Sequence, residues 1–188
     1  MYAQFVKRPL DMLLALIALL FLAPVFLVTA VAIVLEDGLP VLFRQQRSGR
    51  DKRPFEVLKF RSMGRDAPQV ASADAGALRI TSVGAIIRRL NVDELPQLVN
   101  ILRGDMSVVG PRPALTTQST LLDLRDQGSA NTVRPGLTGL AQVSSYDGMP
   151  EEEKASLDND YARRVTFFGD VRIILRTFVY LLKPPPVY

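Results

Sequence analysis

The sequence predicts a mainly helical α+β protein attached to a membrane. Three observations lead there. Met12 to Leu35 is a run of 24 residues without a charge, long enough for a membrane helix. Val41-Leu42-Phe43 and Phe55 to Phe60 read as two strands around a Ser48-Gly49-Arg50-Asp51 turn. Phe167 to Leu182 is a second strongly apolar run, broken by Asp170, Arg172 and Arg176, and reads as an interfacial helix with snorkelling arginines.

Composition narrows the chemistry. At 188 residues the chain can build one domain with a real core. Its net charge of +4 suits an anionic partner: nucleic acid, a phosphorylated substrate or an acidic membrane surface. There is no cysteine and no histidine. Thiolate nucleophiles, disulfides, Ser-His-Asp catalysis and Cys/His metal sites are therefore excluded. The remaining nucleophiles are Asp, Glu, Ser, Thr, Lys and Tyr. A metal would be held by oxygen, which points to Mg²⁺ or Mn²⁺.

Taken in order, the apolar run has Lys7, Arg8 and Asp11 before it and Glu36-Asp37 after it. It is too long for the apolar part of a cleaved signal and lacks small-residue cleavage chemistry. Pro24 stands at its middle and must kink a helix there. Two topologies follow: a kinked spanning helix, or one that breaks at Pro24 and returns to the face it entered. Periodicity alone favours spanning, because proline is tolerated in spanning helices. Basic residues on both sides leave the orientation open.

The hairpin region is strongly basic. Arg44, Arg47, Arg50, Lys52, Arg53, Lys59, Arg61 and Arg65 stand against Asp51 and Glu56 alone. Beside a membrane segment, this charge suits anionic phospholipid headgroups or a diphosphate better than a solvated face. No aromatic platform is interleaved with the bases, so nucleic acid is not expected as a partner. Asp66 to Ala77 reads as a surface loop, and Leu78 to Leu90 as a strand or turn, then a short helix capped by Thr81 or Ser82.

The stretch Asn91-Val92-Asp93-Glu94-Leu95-Pro96-Gln97-Leu98 carries two adjacent carboxylates before a proline. Pro96 fits only the first turn of a helix, so a helix is expected from near Asp93 to Arg103, ended by Gly104. Carboxylates in this position serve either as helix caps or as chemistry. Met106-Ser107-Val108-Val109 leads into Gly110-Pro111-Arg112-Pro113, where two prolines stiffen the backbone presenting an arginine. Such an arginine suits forked phosphate binding, with a rigid turn as the plainer reading. Thr116 to Asp126 reads as a helix, Val133 to Gly139 as a turn, Pro150 to Thr166 as a charged helix, and Pro184-Pro185-Pro186 as an extended tail.

Four stretches, in this order, resemble the bacterial sugar transferases, the monotopic phosphoglycosyl transferases. They are Lys59-Phe60-Arg61-Ser62-Met63, Asp93 to Leu98, Gly104 to Pro113, and Arg134-Pro135-Gly136-Leu137-Thr138-Gly139. The resemblance covers nearly the whole chain and is closest to the small, catalytic-core-only members. It implies a helix-break-helix at Pro24 that re-enters the cytoplasmic face of the bacterial inner membrane as residues 1–37. A cytoplasmic catalytic domain with interfacial helices would then occupy residues 38–188.

The resemblance also implies an activity. A sugar 1-phosphate passes from a nucleoside diphosphate sugar, a UDP-sugar above all, to polyprenyl (undecaprenyl) phosphate. The products are a polyprenyl diphosphate sugar and UMP, at the first membrane step of polysaccharide or glycoconjugate assembly. Asp93 would be the nucleophile, forming a covalent phosphosugar intermediate, and also a ligand of Mg²⁺; Glu94 would support it. Lys59, Arg88, Arg112 and Arg134 are the phosphate-binding candidates, and a homodimer is left open. Three features depart from the family pattern. Ala23 stands where serine is common, Asn91-Val92 replaces Ser/Thr-Leu, and Ser144-Ser145-Tyr146-Asp147 stands where an arginine near the nucleotide is common. The competing readings are a membrane-anchored binder of lipid or nucleotide phosphates without turnover, and a scaffold subunit. The Asp93-Glu94 pair favours the enzyme, since a pure anion binder gains nothing from two carboxylates beside its arginines.

Overall fold

A computed structural model describes residues 1–64, 80–144 and 149–181. The loop expected within 66–77, the departure at 145–147 and the proline tail lie outside the described residues. After a π-helical turn at Tyr2–Val6, α1 runs from Lys7 to Asp37. Pro24 lies inside this helix without ending it, so the expected break is not drawn as two separate helices. Asp11, Ala15, Thr29 and Ile33 are buried, which is one stripe at helical spacing. Leu20, Phe21, Leu27, Val28 and Leu35 are exposed on the remaining faces. The helix is apolar all round and long enough to cross a membrane by length and composition.

Strands β1 (Leu42–Ser48) and β2 (Pro54–Phe60) form the expected antiparallel hairpin, with Leu42 opposite Phe60 and Ser48 opposite Pro54. Helix α2 (Ser82–Arg89) is capped by Thr81, whose Oγ1 accepts from the Gly84 N–H at 2.9 Å. Helix α3 (Gln97–Arg103) ends at Gly104, whose φ of 105° is the left-handed conformation that favours glycine. The helix therefore starts at Gln97 rather than near Asp93; a separate 3₁₀ turn, Val92–Glu94, holds the two carboxylates.

Strand β3 (Ser107–Val109) pairs in parallel with β4 (Gly136–Thr138), a strand where the sequence suggested only a turn. A Cβ on Gly136 would fall 2.1 Å from the Gly110 nitrogen, so these two motif glycines let the backbones meet. Helices α4 (Ser119–Asp126), α5 (Leu140–Ser144), α6 (Glu151–Arg163) and α7 (Phe167–Leu181) complete the chain. On α7, Asp170 and Ile173 are buried while Phe168, Leu175, Phe178 and Val179 are exposed, an outward apolar face on a helix that also carries arginines.

The core under the carboxylates joins α1, β2 and α3. Ala15, Val57, Leu98, Ile101 and Met106 are its buried members, with Ala18, Leu19 and Leu22 of α1 packed against them. A second cluster, Ile33, Phe60 and Ile87, joins the other end of α1 to β2 and α2 and takes in Phe26. Both halves of the long helix thus rest on the same body.

Candidate active site

The two carboxylates owe their place to α3 and β2. Asn100 of α3 is wholly buried, and its side chain does for β2 what a third strand would. Its Oδ1 accepts from the Leu58 N–H at 3.0 Å, and its Nδ2 donates to the Glu56 carbonyl at 2.7 Å. That bracket fixes Lys59, the next residue of β2, against the turn that precedes α3. The far end of α3 is held too. Arg8 donates to the carbonyls of Ile101 (2.6 Å) and Leu102 (3.1 Å), and Arg134 Nε donates to that of Gly104 (2.9 Å). Two cations thus satisfy carbonyls that a helix C-terminus leaves free.

Glu94 is clamped. Its Oε1 accepts from Lys59 Nζ and Arg112 Nη2, both at 2.7 Å. Burial opposes its ionisation, but the charges and hydrogen bonds of Arg112 and Lys59 together outweigh burial. They hold its carboxyl far below the usual carboxylate range. Asp93 goes the other way. Burial first, then the Glu94 charge, push it up to about 6, against the pull of Lys59, Arg88 and Arg112. No hydrogen bond or ion pair reaches the Asp93 side chain among the described residues. One carboxylate of the pair is locked as an anion; its neighbour is open, and its charge is incompletely compensated. Pairs whose environments drive them apart are a mark of assigned chemical roles.

Of the four expected phosphate-binding residues, the structure gathers three. Lys59 and Arg112 touch Glu94, and Arg88, in the last turn of α2, acts electrostatically on Asp93 with its buried Nη1 unpaired. Arg134 is not brought to them. It lies at the opposite end of α3, bonded to Gly104, where burial and the nearby Arg8 and Arg50 charges lower its pKa. Pro24 lies within α1.

Other residues complete the site. A cleft beside Glu94 is lined by Arg47, Val57, Lys59, Gln97, Arg112 and Pro113. Arg112 is held from behind: Arg125 of α4 donates to its carbonyl at 3.0 Å and pairs with Asp158 of α6, both side chains being buried. Lys154, on α6, is lowered by burial and then by the Arg125 and Arg112 charges. Arg47 stood among the bases of the hairpin, but nothing in the sequence set it apart. Gln97, Arg125 and Asp158 are ordinary helix residues to a sequence reader.

Among the described residues no three carboxylates gather into a metal cluster. Magnesium, however, is commonly held by one or two carboxylates together with substrate phosphates and water. Asp93, open and short of positive charge, fits that pattern; Glu94, already bonded to two cations, does not.

Comparison with known proteins gives the family. Residues 2–184 match the bacterial sugar transferase family. The chain is 42% identical to a UDP-glucose:undecaprenyl-phosphate glucose-1-phosphate transferase of Caulobacter vibrioides, over 97% of this chain and 72% of that protein. It is 41% identical to the exopolysaccharide production protein PSS of Rhizobium leguminosarum bv. phaseoli, over 92% and 93% of the two chains. It is 39% identical to a UDP-N-acetylgalactosamine-undecaprenyl-phosphate N-acetylgalactosaminephosphotransferase of Aeromonas hydrophila, over 95% of this chain but 44% of that protein.

Proposed function

The chain belongs to the bacterial sugar transferase family, and from that premise we propose that it transfers a sugar 1-phosphate from a UDP-sugar to undecaprenyl phosphate through Asp93. The observation that carries this is the division of labour between the two carboxylates. Glu94 is neutralised by Lys59 and Arg112, while Asp93 is left without a partner beside them. An Asp93 oxygen attacks the sugar-bearing phosphorus; the bond from that phosphorus to the UMP oxygen breaks, and UMP leaves with the electron pair. An oxygen of the lipid phosphate then attacks the same phosphorus, and Asp93 is released as a carboxylate. Arg112 and Lys59, fixed by Glu94, bring positive charge to the phosphoryl oxygens without having to reorganise. Mg²⁺, or Mn²⁺ in its place, held by Asp93 and the substrate phosphates, would offset the charge that otherwise keeps a diphosphate from a carboxylate.

The same reading covers the membrane. Residues 1–37 act as a re-entrant anchor, and residues 38–188 form a catalytic part at the cytoplasmic face of the inner membrane, seated on anionic phospholipids. Support comes from the two ends of α1. Near its start, Lys7 pairs with Asp170 at 2.7 Å, and Ser107 Oγ donates to Asp11 at 2.6 Å. At its end, Glu36 accepts from the backbone N–H groups of Ser82 and Val83, and Arg61 donates to the carbonyls of Asp37 and Gly38. A helix of 31 residues is about 46 Å long. When both ends are tied to one polar body, crossing the bilayer would drag part of that body into lipid.

The test is incubation of the purified protein with undecaprenyl phosphate and a panel of nucleotide sugars, following release of the nucleoside monophosphate. Release that requires both substrates supports the reading; tight binding of nucleotide and lipid phosphate with no release establishes a non-catalytic binder instead.

A further inference from the structure

Most bases of the hairpin are paired with an acid. Arg44 pairs with Glu56, Arg50 with Asp51, Lys52 with Asp126, Lys59 with Glu94 and Arg61 with Asp37. Arg53 is exposed to water. Arg47 is different: it is partly buried and has no carboxylate partner among the described residues. Its guanidinium is oriented by neutral oxygens only. Nε and Nη2 donate to Gln45 Oε1 at 3.1 and 2.6 Å, and Nη1 donates to the Pro113 carbonyl at 3.2 Å. Those three bonds leave one N–H on each terminal nitrogen for an anion to accept. Burial, then the nearby Arg112 charge, lower the Arg47 pKa to about 10, with Glu94 opposing. The group stays a cation at neutral pH, and among the described residues no carboxylate forms an ion pair with it.

The second observation is independent. Gln97 lines the same cleft and is only 3% exposed. Its side-chain amide has no hydrogen-bond partner among the described residues. The amide is not sealed off, so it can donate to a group that enters the cleft. The cleft is lined by Val57 together with Arg47, Lys59, Gln97, Arg112 and Pro113.

We infer that Arg47 and Gln97 form an anion subsite beside the Asp93-Glu94 pair, holding a phosphate other than the one that is attacked. The inference deepens the transfer reading and rests on it only for the identity of the substrates. The phosphate comes either from the nucleoside monophosphate half of the donor or from the lipid acceptor. Lys59 and Arg112 are occupied by Glu94 and serve the reacting centre, whereas Arg47 adds a cation that no carboxylate among the described residues pairs with. The prolines flanking Arg112 help to build the subsite, because the Pro113 carbonyl is one of the groups that aims Arg47.

The experiment uses the full chain in lipid nanodiscs, with Arg47→Gln, Arg47→Lys and Gln97→Ala. KM is measured separately for the nucleotide sugar and for the polyprenyl phosphate. Binding of UMP, inorganic pyrophosphate and a short-chain polyprenyl phosphate is followed by thermal shift. Arg47→Gln and Gln97→Ala are each expected to raise one KM about tenfold and to weaken the matching phosphate, with the ligand-free melting temperature little changed. Arg47→Lys, which keeps the charge but not the fork, falls between. A raised donor KM with weakened UMP binding assigns the subsite to the nucleotide; a raised acceptor KM with weakened lipid phosphate assigns it to the acceptor. Unchanged KM values and unchanged binding of every phosphate overturn the inference, as does a loss of ligand-free stability with phosphate binding intact. If the unaltered protein turns over no donor, the transfer reading fails, while the binding measurements still decide the subsite.

Discussion

Arg125 holds Arg112 in place through the backbone: its Nη2 donates to the Arg112 carbonyl at 3.0 Å while its Nε and Nη2 engage Asp158. Rigidity of the Gly-Pro-Arg-Pro motif therefore has two sources, the prolines on either side and a buried ion pair behind it. Removing one partner of a buried pair leaves an uncompensated charge, which costs on the order of 3 kcal/mol or more. Asp158→Asn is expected to lose about that much stability in chemical denaturation. Arg125→Lys keeps the charge but cannot make both contacts, and kcat should fall about tenfold through a loosened Arg112. An Arg125→Lys protein with full kcat would show that Arg112 needs no support from α4.

The carboxylates make separable predictions. Asp93→Asn should abolish turnover, because an amide does not attack phosphorus, and UMP release by the purified variant checks it. Glu94→Gln keeps the shape but releases Lys59 and Arg112 from their shared anion, and turnover should fall about 100-fold.

Asp93 also has a pH signature. Its folded pKa is raised to about 6 by burial and by Glu94, above the unfolded value. Folding therefore disfavours its charge. The cost is fully present above about pH 6 and disappears as pH falls below the unfolded value. In metal-free buffer, Asp93→Asn should thus be more stable than the unaltered protein at pH 8, by about 1–3 kcal/mol. That advantage should shrink toward pH 4. Melting curves across this range check the sign; a variant less stable at pH 8 than at pH 5, relative to the parent, contradicts it.

Metal dependence follows from the open Asp93. Treatment with EDTA should remove activity, and Mg²⁺ or Mn²⁺ should restore it, since hard oxygen ligands are all the site provides. Full turnover after exhaustive chelation would remove the ion from the reaction.

Topology can be read by thiol labelling, because the chain has no cysteine. Ala3 and Leu39 are suitable positions: both are exposed, and they flank α1. Gly38 is not, because its φ of 68° is strained for cysteine. In inner-membrane vesicles of known orientation, an impermeant reagent should label Ala3→Cys and Leu39→Cys from the same face. Labelling from opposite faces establishes a spanning helix.

Much of this protein is written in local pattern. The uncharged run, the hairpin, a cap at Thr81 or Ser82 and the presence of α4, α6 and α7 follow from spacing and turn residues, which act between neighbours in the chain; α4 starts three residues later and α6 ends three residues earlier than the pattern suggests. Asp93, Glu94, Lys59 and Arg112 could be picked out because each stands in a distinctive motif. Local pattern failed where the partner is distant. β4 is three residues long and exists because β3 lies beside it, with Gly110 and Gly136 close enough for their backbones to touch. Arg134 also stands beside a proline but bonds the C-terminal end of α3, and its local sequence does not say which group it will meet. Which carboxylate is neutralised and which is left open depends on where β2 and the Arg112 turn arrive. So does the isolation of Arg47 and Gln97. Charge compensation is a sum over groups tens of residues apart, and only the folded chain brings them within ångströms.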